Sequence, residues 1–193
     1  MTTFGIIRHG STQWNKEGRA QGSSDIPLDE DGLLEAIKLA ERLSKENWDF
    51  LYSSDLLRAK QTTEIIGKKN KNIQIQYDLR LREVFGGQIE GTTEDERILK
   101  WGENWRELDL GIESTESVIT RGLTSINDYI NKHTNKNILI VSHGSFIIHM
   151  LKKLVSNIRL DEHLKNTSIT EIIITENGWD CSLYNCTRHL REE

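Results

Sequence analysis

A three-layer α/β/α sandwich around a mostly parallel mixed sheet, closed by a C-terminal antiparallel hairpin, is the α/β architecture this sequence predicts. Three observations predict it. Short apolar runs alternate with amphipathic helical patterns along the whole chain, as in sheets covered by helices on both faces. Residues 138–141 are apolar throughout, as a buried parallel strand requires. Asn177-Gly178 separates two strand-forming runs, a strong hairpin signal. With 193 residues and no repeat, linker or low-complexity stretch, the chain is expected to form one domain spanning 1–193.

The first strand is expected at 3–7. A loop over 10–28 follows, carrying Gly18, Gly22 and the only proline, Pro27. The pattern over 29–44 predicts a helix. Asp29 is a good N-cap, Glu30 and Asp31 occupy the first turn, and Leu33, Ile37, Ala40 and Leu43 are its expected buried stripe. Residues 50–52 read as a second strand. Ser54 or Asp55 should cap a helix running to about Lys68, with Leu57, Ile65 and Ile66 inward. The cluster Lys68-Lys69-Asn70-Lys71 reads as its solvated C-terminus, where cations complement the helix dipole. Residues 73–76 alternate as a short strand. The stretch 77–113, rich in Glu, Trp and Gly, is the least regular, with one short helix expected around 94–108. Over 115–131, Val118, Ile119, Gly122, Leu123, Ile126 and Ile130 share one helical face. A helix over 145–155 leaves the apolar strand, and 169–174 with 179–184 complete the hairpin.

The composition, 36% apolar and 28% charged, is that of a globular protein, and its net charge of −5 argues against a broad basic surface for nucleic acid. No apolar stretch is long enough to cross a bilayer, and the N-terminal residues carry no signal-peptide pattern, so a cytoplasmic protein without membrane contact is expected. Cys181 and Cys186 lack metal or CxxC spacing and read as two reduced, partly buried thiols.

The chemistry-bearing residues gather at strand ends. Arg8-His9-Gly10 follows the first strand and Ser142-His143-Gly144 follows the run 138–141. Strand ends of an open α/β sheet converge on the crevice where ligands bind. Two histidines delivered there, one beside an arginine, can attack and hold a phosphate. Backbone N–H groups at His143-Gly144-Ser145, between strand and helix, should point into the same crevice. Arg58 sits in the first turn of a helix, where a cation is unfavourable unless an anion is shared; a surface arginine paired to Asp55 or Glu64 is the other reading. Glu83 stands among Leu81, Val84 and Phe85, neighbours that would desolvate a carboxyl group and suit it to proton donation. His149 shares a helical face with Lys152 and Lys153 and is expected to be exposed and inert. His133, His163 and His189 have no supporting context.

The segment from Arg8-His9-Gly10 through Trp14-Asn15, then Gln21-Gly22 and Pro27-Leu28, resembles the opening of the histidine phosphatase superfamily, phosphoglycerate-mutase-like branch. Ser53-Ser54-Asp55-Leu56-Leu57-Arg58-Ala59, Gln61-Thr62, Leu81-Arg82-Glu83, Glu90-Gly91 and Val141-Ser142-His143-Gly144 continue the likeness in order over nearly the whole chain. Two departures are Ser11, where many relatives carry glutamate, and Gly111-Ile112-Glu113-Ser114, a degraded form of a Gly-Glu-Ser signature. The resemblance implies His9 as nucleophile, forming a phosphohistidine, with Arg8, Arg58 and His143 on the phosphoryl oxygens and Glu83 as proton donor. It implies Asn15, Gln21, Gly22 and the Gly144 amide as supporting ligands, and no metal or other cofactor.

The resulting expectation is a cofactor-independent phosphomonoesterase acting on a small-molecule phosphate ester, as a monomer or homodimer. The alternatives are a 2,3-bisphosphoglycerate-dependent phosphoglycerate mutase and a non-catalytic phosphate-binding relative. Mutases of this type carry a longer insertion with adjacent arginines, whereas the segment here holds only Arg97 and Arg106, well separated. Trp101, Trp105 and Leu108 are expected to line a lid over about 85–113 that selects the ester.

Overall fold

The two apolar runs that precede the histidines become adjacent parallel strands. The computed structural model describes residues 1–71, 73–156, 158–160 and 163–191. β1 (Thr3–Arg8), β2 (Phe50–Ser53), β3 (Gln74–Tyr77), β4 (Asn137–Ser142), β5 (Ile169–Thr175) and β6 (Gly178–Cys186) form one sheet in the order β3-β2-β4-β1-β5-β6. The first four strands are parallel; β5 runs antiparallel to β1, and β6 to β5. The helices are α1 (Gln13–Lys16), α2 (Glu30–Leu43), α3 (Leu57–Lys69), α4 (Glu94–Trp101), α5 (Thr115–Lys132) and α6 (Gly144–Leu154).

Strand alternation divides the core into two halves. Phe4, Ile6, Ile138 and Ile140 pack against Val118 and Ile126 of α5 and against Phe146, Ile147 and Met150 of α6. Ile7, Leu51, Leu139 and Val141 pack against Leu39 and Leu43 of α2 and Ala59 and Ile66 of α3. Three layers result. Cys181 belongs to the first half and Cys186 to the second, so these free thiols lie on opposite faces of the sheet and cannot bridge.

This layering positions the site. The chain leaves β1 toward α2 on one face and leaves β4 into α6 on the other. Adjacent parallel strands whose connections diverge in this way open a crevice at their C-terminal ends. Arg8 is in register with Ser142, so His9 and His143 step off the sheet side by side.

Several elements differ in detail from the sequence expectation. On α2, Leu33 and Ile37 are exposed, and the buried stripe is Ala36, Leu39, Ala40 and Leu43. The helix is rotated because Gly32 sits against the loop after His9, where a Cβ would collide with the Ser11 carbonyl. α3 begins at Leu57 without a side-chain cap of its own. Ser54 Oγ is shared between His143 and the Leu56 N–H and Asp55 pairs with Arg82, so the Leu57 N–H is capped by Asp25 from the loop between α1 and α2, at 2.6 Å. β3 starts at Gln74 and β6 extends to Cys186, each a small shift of boundary. The expected helix around 94–108 is α4 plus a separate 3₁₀ turn, Trp105–Glu107, the two parted by Gly102 at φ +85°.

The rotated stripe has a direct check. Leu39→Ala should cost about 2–5 kcal/mol in urea denaturation, whereas Ile37→Ser on the exposed side should change stability by no more than about 0.5 kcal/mol. Comparable losses would restore the stripe read from periodicity alone.

Candidate active site

His9 stands at the wall of a cavity of about 550 Å³, lined also by Arg8, Asn15, Gln21, Arg58, Glu83 and Gly144, and His143 packs behind it. His9 is 2% exposed and His143 fully buried, their ring centroids 5.2 Å apart. His9 Nδ1 lies 2.7 Å from the Gly10 carbonyl, which can only accept, so Nδ1 carries the proton and Nε2 of the neutral ring keeps its lone pair. His143 Nε2 lies 2.8 Å from Ser54 Oγ.

Arg58, the residue that violates helix-dipole preference, is fully buried and is not paired to Asp55 or Glu64. Its Nη1 and Nη2 donate to the carbonyls of Ser24 and Gly22, both at 2.8 Å. Arg8 Nη1 donates to the Leu164 carbonyl. Burial lowers both guanidinium pKa values, that of Arg58 to about 10, with Glu83 opposing in each case. Arg8 Nε, Arg58 Nε and His143 Nδ1 are three of the five buried side-chain nitrogens without a partner among the described residues. Buried polar groups are rarely left so, and two of these residues, Arg8 and Arg58, line the cavity beside His9, an arrangement suited to an anion.

The loop after His9 aims its amides the same way. Asn15 Oδ1 accepts from the Thr12 N–H at 3.2 Å and from Asn166 Nδ2 at 3.2 Å, and Gln21 Oε1 accepts from Thr12 Oγ1 at 3.1 Å. With their oxygens occupied, the NH₂ groups are what both side chains have left to offer the cavity they line. Gly144 also stands against the Arg8 guanidinium, where a Cβ would come within 3.4 Å of Nε. Gly22 differs from expectation: it is absent from the cavity wall and acts through its carbonyl on Arg58. Its φ of +47° and the Glu90 carboxylate packed against it leave room for no side chain.

Glu83 lines the cavity, but its carboxylate is not enclosed by apolar neighbours. Oε1 accepts from the N–H groups of Phe146 and Val84, each 2.9 Å, and Oε2 from Ser145 N–H at 3.1 Å. The start of α6 thus supplies two of its partners, satisfying helix N–H groups that would otherwise lack acceptors.

Sequence reasoning missed the outer wall. Ser145, Ile148, His149 and Lys152 recur at i, i+3, i+4 and i+7 along α6 and face the cavity, so His149 is part of it and not an inert surface group. His163 also lines it, and Arg19 does while paired to Glu17 and Glu96. The signal was the helical spacing counted from His143-Gly144. Conversely, no residue of 85–113 lines the cavity. Trp105 is buried against Arg97 and Arg106 and donates to Glu94 at 3.0 Å, so these aromatic and cationic groups satisfy one another away from it.

Comparison with known proteins gives the family. The model of the histidine phosphatase superfamily (branch 1) matches residues 4–187, and the chain belongs to that superfamily. Phosphoglycerate mutase-like protein 4 of Arabidopsis thaliana is 31% identical, over 97% of this chain and 86% of the relative. The structure of Bacillus stearothermophilus YhfR superposes with a TM-score of 0.87 at 29% identity, covering 99% of this chain and all of that one. Phosphoserine phosphatase from Entamoeba histolytica, in complex with 3-phosphoglyceric acid, gives a TM-score of 0.82 at 30% identity, over 99% and 100% of the two chains.

Burial first, then the charges of Arg58 and Arg8, hold the His9 imidazole well below its ordinary range; burial and then Arg58 do the same for His143. Both rings stay neutral when folded, whereas the unfolded chain takes up their protons near pH 6.5. Their contribution to stability is therefore complete above that pH and is lost as pH falls through the depressed folded values. His143→Gln should flatten the fall in unfolding free energy between about pH 6.5 and 5 by up to about 1.4 kcal/mol per pH unit, read by urea titration. An unchanged slope would mean that the ring is protonated in the fold.

Proposed function

We infer that this protein is a phosphomonoesterase that hydrolyses small phosphate esters through a phosphohistidine on His9. The observation that carries the reading is the set of unpartnered buried nitrogens, Arg8 Nε, Arg58 Nε and His143 Nδ1, beside a neutral imidazole with its Nε2 lone pair available. Nε2 attacks phosphorus and the ester P–O bond breaks. The arginines meet the charge spread over the transferring phosphoryl oxygens. Glu83 passes a proton to the departing oxygen; Oε2 accepts a single N–H and keeps a lone pair to carry that proton. Water then attacks the phosphohistidine and the P–N bond breaks; both water protons leave on the inorganic phosphate, His9 is restored as the neutral ring, and Glu83 regains its proton from solvent. Asn15, Gln21 and the Gly144 amide supply further donors to the phosphate.

Hydrolysis is favoured over mutase chemistry because Arg97 and Arg106, the arginines of the segment 85–113, are tied to Thr92 and Glu94 outside the cavity. The phosphoserine phosphatase likeness supports an ester of a small metabolite.

Rapid mixing with phosphorus-labelled ester, quenched without acid, should place the label on His9, and His9→Ala should neither label nor turn over. Full activity in that variant would defeat the mechanism. Glu83→Gln should slow an alkyl phosphate by about 10²–10⁴-fold while sparing an activated aryl phosphate, whose leaving group needs no proton. Equal slowing of both esters would make Glu83 structural.

A further inference from the structure

The loop that carries Glu83 is gripped by a side chain from a distant helix. Arg121 of α5 donates from Nη1 to the carbonyls of Arg80 and Arg82, each 2.7 Å. Its Nη2 donates to the Glu83 carbonyl at 3.2 Å and to Glu113 Oε2 at 3.0 Å, and its Nε to Glu113 Oε1 at 2.8 Å. The five N–H groups of one guanidinium thus meet five acceptors. The guanidinium also lies over the Phe146 ring, 5.0 Å from its centroid. Phe146 is the residue whose N–H binds Glu83 Oε1, so a single side chain touches both the main chain bearing Glu83 and the helix turn receiving its carboxylate.

Glu113 closes the clamp. Its carboxylate accepts from Ser117 Oγ at 2.8 Å and from Phe85 N–H at 3.2 Å, and its own N–H donates to the Phe85 carbonyl at 2.9 Å. Burial pushes this carboxyl up, but the bonds from Arg121 and Ser117 outweigh it and hold it below its ordinary value. Neither Arg121 nor Glu113 lines the cavity.

We propose that the Arg121–Glu113 pair is the positioning device for Glu83, fixing where its carboxyl delivers a proton without touching the ester. The inference rests on the reading of Glu83 as proton donor. A lysine at 121 keeps the charge but offers three donors on one nitrogen, which cannot span three carbonyls and a carboxylate. Displacing a catalytic group by about 1 Å costs about 10²-fold.

Arg121→Lys should therefore lower kcat on an alkyl phosphate by about 10²-fold with KM little changed, while p-nitrophenyl phosphate turnover stays close to wild type. Glu113→Gln, which retains the shape of the clamp, should show the same selectivity to a smaller degree and covers the case in which the lysine variant does not fold. In a Glu83→Gln background, Arg121→Lys should add no further loss on the alkyl ester. Equal slowing of both esters in Arg121→Lys and Glu113→Gln, with Glu83→Gln still selective, would overturn the positioning role alone. Additive losses in the double variant would do the same. A Glu83→Gln enzyme that slows both esters alike would remove the proton-donor reading, and this inference with it.

Discussion

Two guanidinium groups buried beside two imidazoles set the terms for the rest of this site. Taking a cation out of water costs several kcal/mol, and a buried carboxylate partner is the common compensation. Arg8 and Arg58 are instead held by main-chain carbonyls of Leu164, Ser24 and Gly22, which accept hydrogen bonds but carry no net charge. Their positive field is thus fixed in place without a carboxylate hydrogen-bonded to either group. The same field, added to burial, keeps His9 and His143 neutral. A site of this kind is costly to fold and well prepared for an anion, the trade expected where function overrides local preference.

Holding those carbonyls in position constrains a large part of the chain. Gly22 must adopt a positive φ, and the loop around it is tied by Glu90, which accepts from the Ser23 and Gly86 N–H groups and from Ser24 Oγ. The loop before it is set by the contact of Gly10 and Ser11 with Gly32, and that contact in turn fixes the rotation of α2. A backbone approach made at the phosphate end thereby decides which residues of a distant helix are buried.

The other wall is organised around the start of α6. Its first N–H groups need acceptors, and Glu83 supplies them from a separate loop. The Glu83 main chain depends on Arg121 and Glu113, so the segment that departs from the family signature at Gly111-Ile112 still contributes a carboxylate to the support of this wall. Loop, helix terminus and ion pair are coupled through one guanidinium.

Much of this was legible in the sequence, because strand alternation, hairpin chemistry and residues placed at strand ends are local in origin. The apolar run at 138–141, the Asn177-Gly178 turn and the histidines after β1 and β4 needed only the period of a strand and the geometry of an α/β sheet. What the sequence left undetermined involves contacts between distant segments. Periodicity gave α2 an apolar stripe but not its phase, which Gly32 against Ser11 decided. It suggested Ser54 or Asp55 as a helix cap, yet His143 and Arg82 engaged those side chains. It set Trp105 over the substrate, where cation–π contacts with Arg97 and Arg106 hold it elsewhere. Local propensity is written in neighbouring residues, whereas competition for a hydrogen-bond partner or a close backbone approach is settled only when the tertiary fold brings the competitors together.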